Sequence, residues 1–541
     1  MPSLTAFQTS LVANRSAKLG FISSPQFNEC LSALSDPEWA PKALDILALA
    51  AREESVAAYL GGVIDMAVLE QLLPKRPTAV LRLMASIGAP PSEATASAIE
   101  RVLSFEKPTM DIIAASQPAA AIAKSAGLYW SFPLSTGAPE GYLIAQLSVQ
   151  DPSTVDQCLL WKFVRSRSIN LRLTAAEILA KDAPDDLFPL IVDMVPIPQA
   201  CKIVSQMVTN NLNRAQVMMD TGILRKILDT PSPQGLVLFA AAAQTDDLRD
   251  ELIREGVLKL ALSSIEKNPY EALTLILSLS RSIRALRTGV GSRAIVQAVI
   301  QCLKSSDLQV RSVAMAVACN LVLDTCPVAD TLLDEFDILS LAVDGIATPY
   351  KTLQLYSIWL LQNAAHPRSR IKVNSQLLDL LSIDRILTMV DCGDPKIEIL
   401  ALRFIANFIC DNAKGLEIWL TGESDKLWLL METKLQNLRT MEAALYILLH
   451  IAASSDNYRE MIMKRGEMLD KLAIRLLTCD SDSIRLAGVW FLCNLFSGPE
   501  NIKLRLFKPF LHNCLLEGGR TVNSRAQFLL NRIITHSDSP L

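Results

Sequence analysis

The stretch Ile484-Arg-Leu-Ala-Gly-Val-Trp-Phe-Leu-Cys-Asn-Leu495 places a large side chain, Trp490, four residues before a polar one, Asn494. The same arrangement recurs upstream, as Trp359 with Asn363, Arg403 with Asn407, Tyr446 with His450 and, with a small first member, Ala316 with Asn320. Measured on the polar member, the steps from 320 through 363, 407 and 450 to 494 are 43, 44, 43 and 44 residues. Four residues is close to one helical turn, so both members of each pair share a helix face. A fixed period of this size marks helical units stacked one upon the next, in which each unit buries its apolar face against its neighbours.

Periods of about 40–47 residues are those of the armadillo/HEAT class, so the expected fold is all-α, a right-handed superhelical solenoid. Local signals agree. Most of the repeated helices follow a turn with helix-starting residues: Ser305-Ser-Asp307, Thr348-Pro349, Gly393-Asp394-Pro395 and Asp480-Ser-Asp482-Ser483. A second helix type precedes them, in Asp337-Ile-Leu-Ser-Leu-Ala, Asp384-Arg-Ile-Leu-Thr-Met, Asp425-Lys-Leu-Trp-Leu-Leu and Asp470-Lys-Leu-Ala-Ile-Arg-Leu. Further upstream, Asp220-Thr-Gly222 and Arg254-Glu-Gly256 each lead straight into an apolar helix, which predicts a sharp glycine corner between two helices.

These signals divide the chain into degenerate helical repeats over 1–106, an irregular Pro/Gly-rich interruption over 107–142, central armadillo-like repeats over 143–303, regular repeats over 304–535 and a tail, 536–541. Within the interruption, Pro108, Pro118, Pro133 and Pro139 are expected to spoil long helices, leaving an exposed loop or a boundary between two arrays.

Composition narrows the function classes. With 52 Lys and Arg against 56 Asp and Glu, the chain lacks the cationic excess of a nucleic-acid binder, and none is expected as partner. The eleven cysteines are scattered without a CxxC pair, which points to buried, reduced thiols and to no zinc site. His366, His512 and His536 have no spacing to other ligands that suggests a metal or a triad. The start lacks the basic and apolar segments of a signal peptide, and the most apolar run, Leu236 to Ala243, is too short to cross a membrane. The expectation is a protein of the cytoplasm and nucleus without membrane partners, cofactors or a small-molecule substrate. Phosphate-binding, nucleophile-elbow and HExxH motifs are absent, and Gly289-Val-Gly291 reads as a turn, so no enzymatic activity is expected.

What remains is binding. An Asn on the inner face of a solenoid can offer its amide to the backbone of an extended peptide; alternatively it ties neighbouring helices within the array. The candidate groove residues are Asn320, Trp359, Asn363, Arg403, Asn407, Tyr446, His450, Trp490 and Asn494. Arg311 and Arg485, with Arg403, are candidates for an acidic partner or a terminal carboxylate, or else arginines lying along exposed helix faces. His450 reads as a variant of the Asn rather than as a catalytic base.

The order of Ser278-Leu-Ser-Arg-Ser-Ile-Arg-Ala-Leu-Arg-Thr288, Cys319-Asn-Leu-Val-Leu-Asp324, Ile358-Trp-Leu-Leu-Gln-Asn363 and Leu380-Leu-Ser-Ile-Asp-Arg-Ile-Leu387 resembles the armadillo-repeat scaffold subunit of the GID/CTLH ubiquitin ligase, over roughly residues 265 to 531. The resemblance implies a non-catalytic adaptor. It would dock onto the ligase scaffold through its N-terminal repeats and hold the C-terminal tail of the substrate receptor in the groove of its C-terminal repeats. The first 250 or so residues match only in helical texture, which puts the docking in question. An alternative is a nuclear-import adaptor that grips basic peptides, since such armadillo proteins carry a similar Trp/Asn ladder. Against it, Arg403 replaces a rung Trp, and Met1 to Leu19 holds only Arg15 and Lys18 where a basic arm is needed.

Overall fold

The computed structural model describes residues 11, 15–36, 39–74, 76–88, 90–104, 108, 110–131, 134, 137–182, 184–286, 290–323, 326, 328–365, 371–421, 424–497, 502–517 and 519–535. The tail at 536–541, Gly289 of the expected turn, and His366 and His536 lie outside them. The described residues form helices throughout, with one isolated backbone bridge between Trp130 and Gln150. The chain divides into two compact units, Met1–Met207 and Val208–Leu541.

In the first unit, α1 (Ala40–Ala50), α2 (Pro77–Ile87), α3 (Glu93–Leu103), α4 (Met110–Ser125) and α5 (Glu140–Ser148) surround one apolar core that runs from Leu11 to Val149. This corrects the expected interruption at 107–142, because α4 fills nearly half of it and carries Pro118 inside the helix. The reason is the run of alanines: Ala115, Ala119, Ala120 and Ala123 are all buried. Alanine has the highest helix propensity, and here burial against α2, α3 and α5 outweighs the missing N–H of one proline. The polar pair Tyr142 and Gln146 on α5 is wholly buried; the Tyr142 hydroxyl donates to Val102 O at 2.9 Å and Gln146 Nε2 to Leu103 O at 2.7 Å. Both acceptors lie in the last turn of α3, whose carbonyls have no partner of their own within the helix.

In the second unit the repeated helices are α6 (Pro233–Ala242), α7 (Pro269–Leu279), α8 (Leu308–Leu321), α9 (Lys351–Ala364), α10 (Pro395–Ile409), α11 (Leu438–Ser454), α12 (Asp482–Leu495) and α13 (Arg520–Thr535). Each packs on the next in series. Asp307 caps α8 by accepting from Gln309 N at 2.7 Å, and Asp394 caps α10 by accepting from Lys396 N at 2.9 Å. Asn437 caps α11 likewise, a signal the turn pattern did not include. Asp482, in contrast, lies inside the first turn of α12, where its carboxylate meets Arg485.

The glycine corners form as the sequence suggests. Gly222 and Gly256 adopt φ of 69° and 91° between successive helices. In this left-handed region any Cβ crowds the following carbonyl. We expect Gly256→Ala to lower the stability of this unit by about 1–2 kcal/mol, read by urea unfolding with circular dichroism; a change within about 0.3 kcal/mol would show that the corner relaxes without strain.

Candidate functional site

The four Asn of the ladder use their amides within the array, whereas His450 at the remaining rung has no amide to give. Asn363 Nδ2 donates to Cys319 O at 2.9 Å, Asn407 Nδ2 to Gln362 O at 2.9 Å and Asn494 Nδ2 to Leu449 O at 3.3 Å. Each acceptor is the residue just before the preceding rung, and Cys319 and Gln362 lie in the last turns of their helices. Asn320 begins the series by donating to Ser280 Oγ at 2.8 Å. The geometry therefore supplies the helix-tying role, and the rung side chains are half-buried rather than hidden. An amide has two N–H groups and an oxygen, so one donated bond leaves capacity for a ligand.

What the ladder encloses is a trench. A cavity of about 460 Å³ is lined by Gln362 of α9, by Arg403, Ala406 and Asn407 of α10 and Cys410 just after it, and by Glu442, Tyr446 and His450 of α11. Four of the sequence candidates, Arg403, Asn407, Tyr446 and His450, are thus brought together. Gln362 and Glu442 were not among them, although Glu442 stands one turn before Tyr446, as Tyr446 does before His450, and the four-residue spacing marks all three as one face. Trp359, 42% exposed, lies on α9 three residues before Gln362 and stacks on Tyr356, with centroids 6.3 Å apart and planes 15° from parallel.

The trench is mixed in charge. Burial raises the Tyr446 hydroxyl's pKa; the Glu442 carboxylate adds to the shift and the Arg403 guanidinium offsets part of it. Burial lowers the His450 pKa, and Asp411 offsets part of that. Burial, with Asp411 beside it, pushes the Cys410 thiol up to about 11, so it stays protonated at neutral pH.

One arginine assignment needs correction, and a second stands away from the ladder. Arg485 is 7% exposed and its guanidinium reaches Glu517 at 2.5 Å and Asp482 at 3.2 Å, so it is already paired within the chain. Arg311 is half-buried at the equivalent place, nine residues before its rung Asn. Nine residues is two and a half turns, which points away from the rung. The same position holds Gln354, bonded to Thr348 O at 2.7 Å, and buried Glu398, paired with Lys434 at 3.0 Å. Of the five occupants of this position, Gln354, Glu398 and Arg485 thus bond within the chain.

The ladder also extends further than the Asn series. On α13, Phe528 and Arg532 repeat the four-residue spacing, and Arg532 Nη2 reaches back to Ser497 O at 3.5 Å. Arg525 lies over the ring of Trp490, 3.6 Å from its centroid. At the other end, Gln244 Nε2 donates to Val208 O at 2.6 Å, one unit earlier. These members were missed because the repeat shortens there and the residue types change.

No protein-family model matches the chain. In sequence it is 26% identical over 243 residues to GID complex subunit 5 of Schizosaccharomyces pombe, covering 43% of this chain and 30% of that protein. It is 22% identical over 272 residues to armadillo repeat-containing protein 8 of Pongo abelii, covering 49% and 40%. GID complex subunit 5 of Saccharomyces cerevisiae matches at 20% over 298 residues, covering 41% and 32%. In sequence, then, the chain is similar to GID complex subunit 5 and armadillo repeat-containing protein 8. The matches span only 30% to 40% of those relatives' own length. Among solved structures, an engineered protein superposes with a TM-score of 0.53 at 16% identity, over 69% of this chain and 98% of that one. That likeness speaks to the fold alone, an all-α solenoid.

His450 provides a check on the trench. Its depressed pKa means that the folded chain favours the neutral imidazole, so its contribution is complete above the ordinary value of 6.5 and is lost as the pH falls from there toward the lower folded value. Urea unfolding at pH 7.5 and pH 5.5 should therefore show a larger loss of stability on acidification for the unaltered chain than for His450→Asn. Equal losses would mean that His450 is open to solvent.

Proposed function

We propose that the chain is a non-catalytic adaptor of a GID/CTLH-type ubiquitin ligase. In this reading the trench along α8 to α12 holds the tail of the substrate receptor as an extended chain, while the N-terminal unit docks onto the ligase scaffold. Substrates are thereby brought to the catalytic subunits and marked for proteasomal degradation. The single observation that carries the binding part is the trench itself, in which rungs of α10 and α11 converge with Gln362 of α9, the helix that also carries the exposed Trp359 ring. Half-exposed rings over a polar floor supply apolar contact and backbone hydrogen bonds together, which is what an extended peptide requires. The ligase part rests on the relatives and their printed names.

Adaptor rather than enzyme fits the chemistry of the trench. Its thiol, Cys410, is held protonated and so is a poor nucleophile. The import-adaptor alternative is disfavoured by sign, because Arg403, Arg525 and Arg532 along the ladder would repel a basic peptide.

The test is affinity purification of the tagged full chain from its own cells with mass spectrometry. RING and receptor subunits should co-purify, and an immobilised Lys/Arg octapeptide should not retain the chain. Trp359→Ala with Tyr446→Ala removes two rings without touching the Asn ties, and should cost about 2 kcal/mol or more per ring, enough to lose the receptor while keeping the scaffold. Undiminished receptor recovery by this variant would refute the trench assignment, and absence of RING and receptor subunits from the unaltered chain would refute the ligase assignment.

A further inference from the structure

The end of the ladder differs in charge from the rest of the chain. Residues 502–535 hold six basic side chains, Lys503, Arg505, Lys508, Arg520, Arg525 and Arg532, and one acid, Glu517, although the whole chain is net −4. Glu517 is spoken for, because its carboxylate is held 2.5 Å from the buried Arg485. Two of the basic groups are aimed at the last rungs. The Arg525 guanidinium lies 3.6 Å from the Trp490 ring centroid, and that of Arg532 lies 5.9 Å from the Phe528 centroid. Both act on the thiol of Cys493, the residue next to Asn494, and oppose the rise in its pKa that burial causes. Two guanidiniums therefore flank the surface where Trp490 and Asn494 emerge.

Stacking leaves a guanidinium's work unfinished. An arginine whose face lies on an indole still presents its N–H groups around the edge, in the plane where a carboxylate accepts two of them. The ring fixes the orientation, so less side-chain freedom is lost when the anion arrives. Trp490 and Arg525 together form a preset carboxylate clamp at one end of a trench whose middle holds Glu442 and Arg403 in balance.

We propose that the α12–α13 end of the groove recognises acidic side chains of the bound segment, with Arg525 as the principal contact and Arg532 as the second. The inference rests on the groove reading above and adds to it the chemistry of the partner: an extended peptide with Asp or Glu where it crosses α12 and α13. A nucleic acid is the poorer fit, since Glu442 would repel a phosphate chain and the chain as a whole is net −4.

A displayed library of random peptides selected on the full chain tests this directly. Sequences recovered on the unaltered chain should be enriched in Asp and Glu, and the enrichment should vanish on an Arg525→Gln/Arg532→Gln variant, with roughly tenfold weaker binding of the best acidic peptide. Recovery without acidic enrichment, or enrichment unchanged by the variant, overturns the clamp while leaving the groove standing. Recovery of the same sequences on Trp359→Ala/Tyr446→Ala, or of none at all, overturns the groove reading beneath it. If the double arginine variant fails to fold by circular dichroism, the unaltered chain decides: affinity for the best peptide should fall about tenfold between about 50 mM and about 300 mM NaCl, and should not recover in its Gln-for-Glu version. Tighter binding of a fluorescein-labelled oligothymidine than of any selected peptide would assign the basic end to nucleic acid and overturn the proposal.

Discussion

The second unit depends on one kind of hydrogen bond, a side-chain amide reaching from one inner helix to a carbonyl near the end of the preceding one. A helix leaves its last four carbonyls without partners, and an array of stacked helices multiplies that deficit by the number of units. Asn363 and Asn407 meet it with bonds of 2.9 Å each, and Arg532 repeats the reach with a guanidinium. Because each tie crosses to the next helix, it also fixes the rotation of one unit against another. The direction of the rung side chains, and with it the trench, follows from that rotation. Tyr142 and Gln146 perform the same service in the first unit, but there they are fully buried, so the device exists without a groove.

The period of the Asn residues, read from the sequence, was sufficient for the fold because it reports a contact repeated with little change. The amide at 363 touches residue 319, and that at 407 touches residue 362, so the interval in the chain is the interval in the stack. Where the contact uses other chemistry, the signal fades. Ser280 receives the bond from Asn320 without resembling a rung, and Gln244 performs the task from the turn just after α6, where the repeat is shorter. The helix α4 was hidden for a different reason: its prolines are conspicuous in sequence, whereas the burial that overrides Pro118 is a tertiary effect.

Within the site, residue type misled more than spacing did. Arg311 and Arg485 attract notice as charges near the ladder, yet their offset of nine residues turns them away from it, and Arg485 spends its charge on Glu517 and Asp482. Glu442 has the right offset, but as neither an aromatic nor an amide it does not match the residue types of the other rungs. The cation over Trp490 could not be anticipated at all, since Arg525 comes from the next helix and belongs to no pattern shared with the earlier units.

Rung spacing also limits what can lie in the trench. Adjacent packed helices are about 8–10 Å apart, and an extended chain advances about 3.3 Å per residue. Neighbouring rungs are therefore about two and a half to three residues apart along a bound peptide. Side chains of such a peptide alternate in direction with a period of two, so contacts made at one rung fall out of phase at the next. A chain running from Asn320 to Asn494 must then be read through its backbone at most rungs, with side-chain selection confined to the few places where a ring or a charge stands beside the ladder.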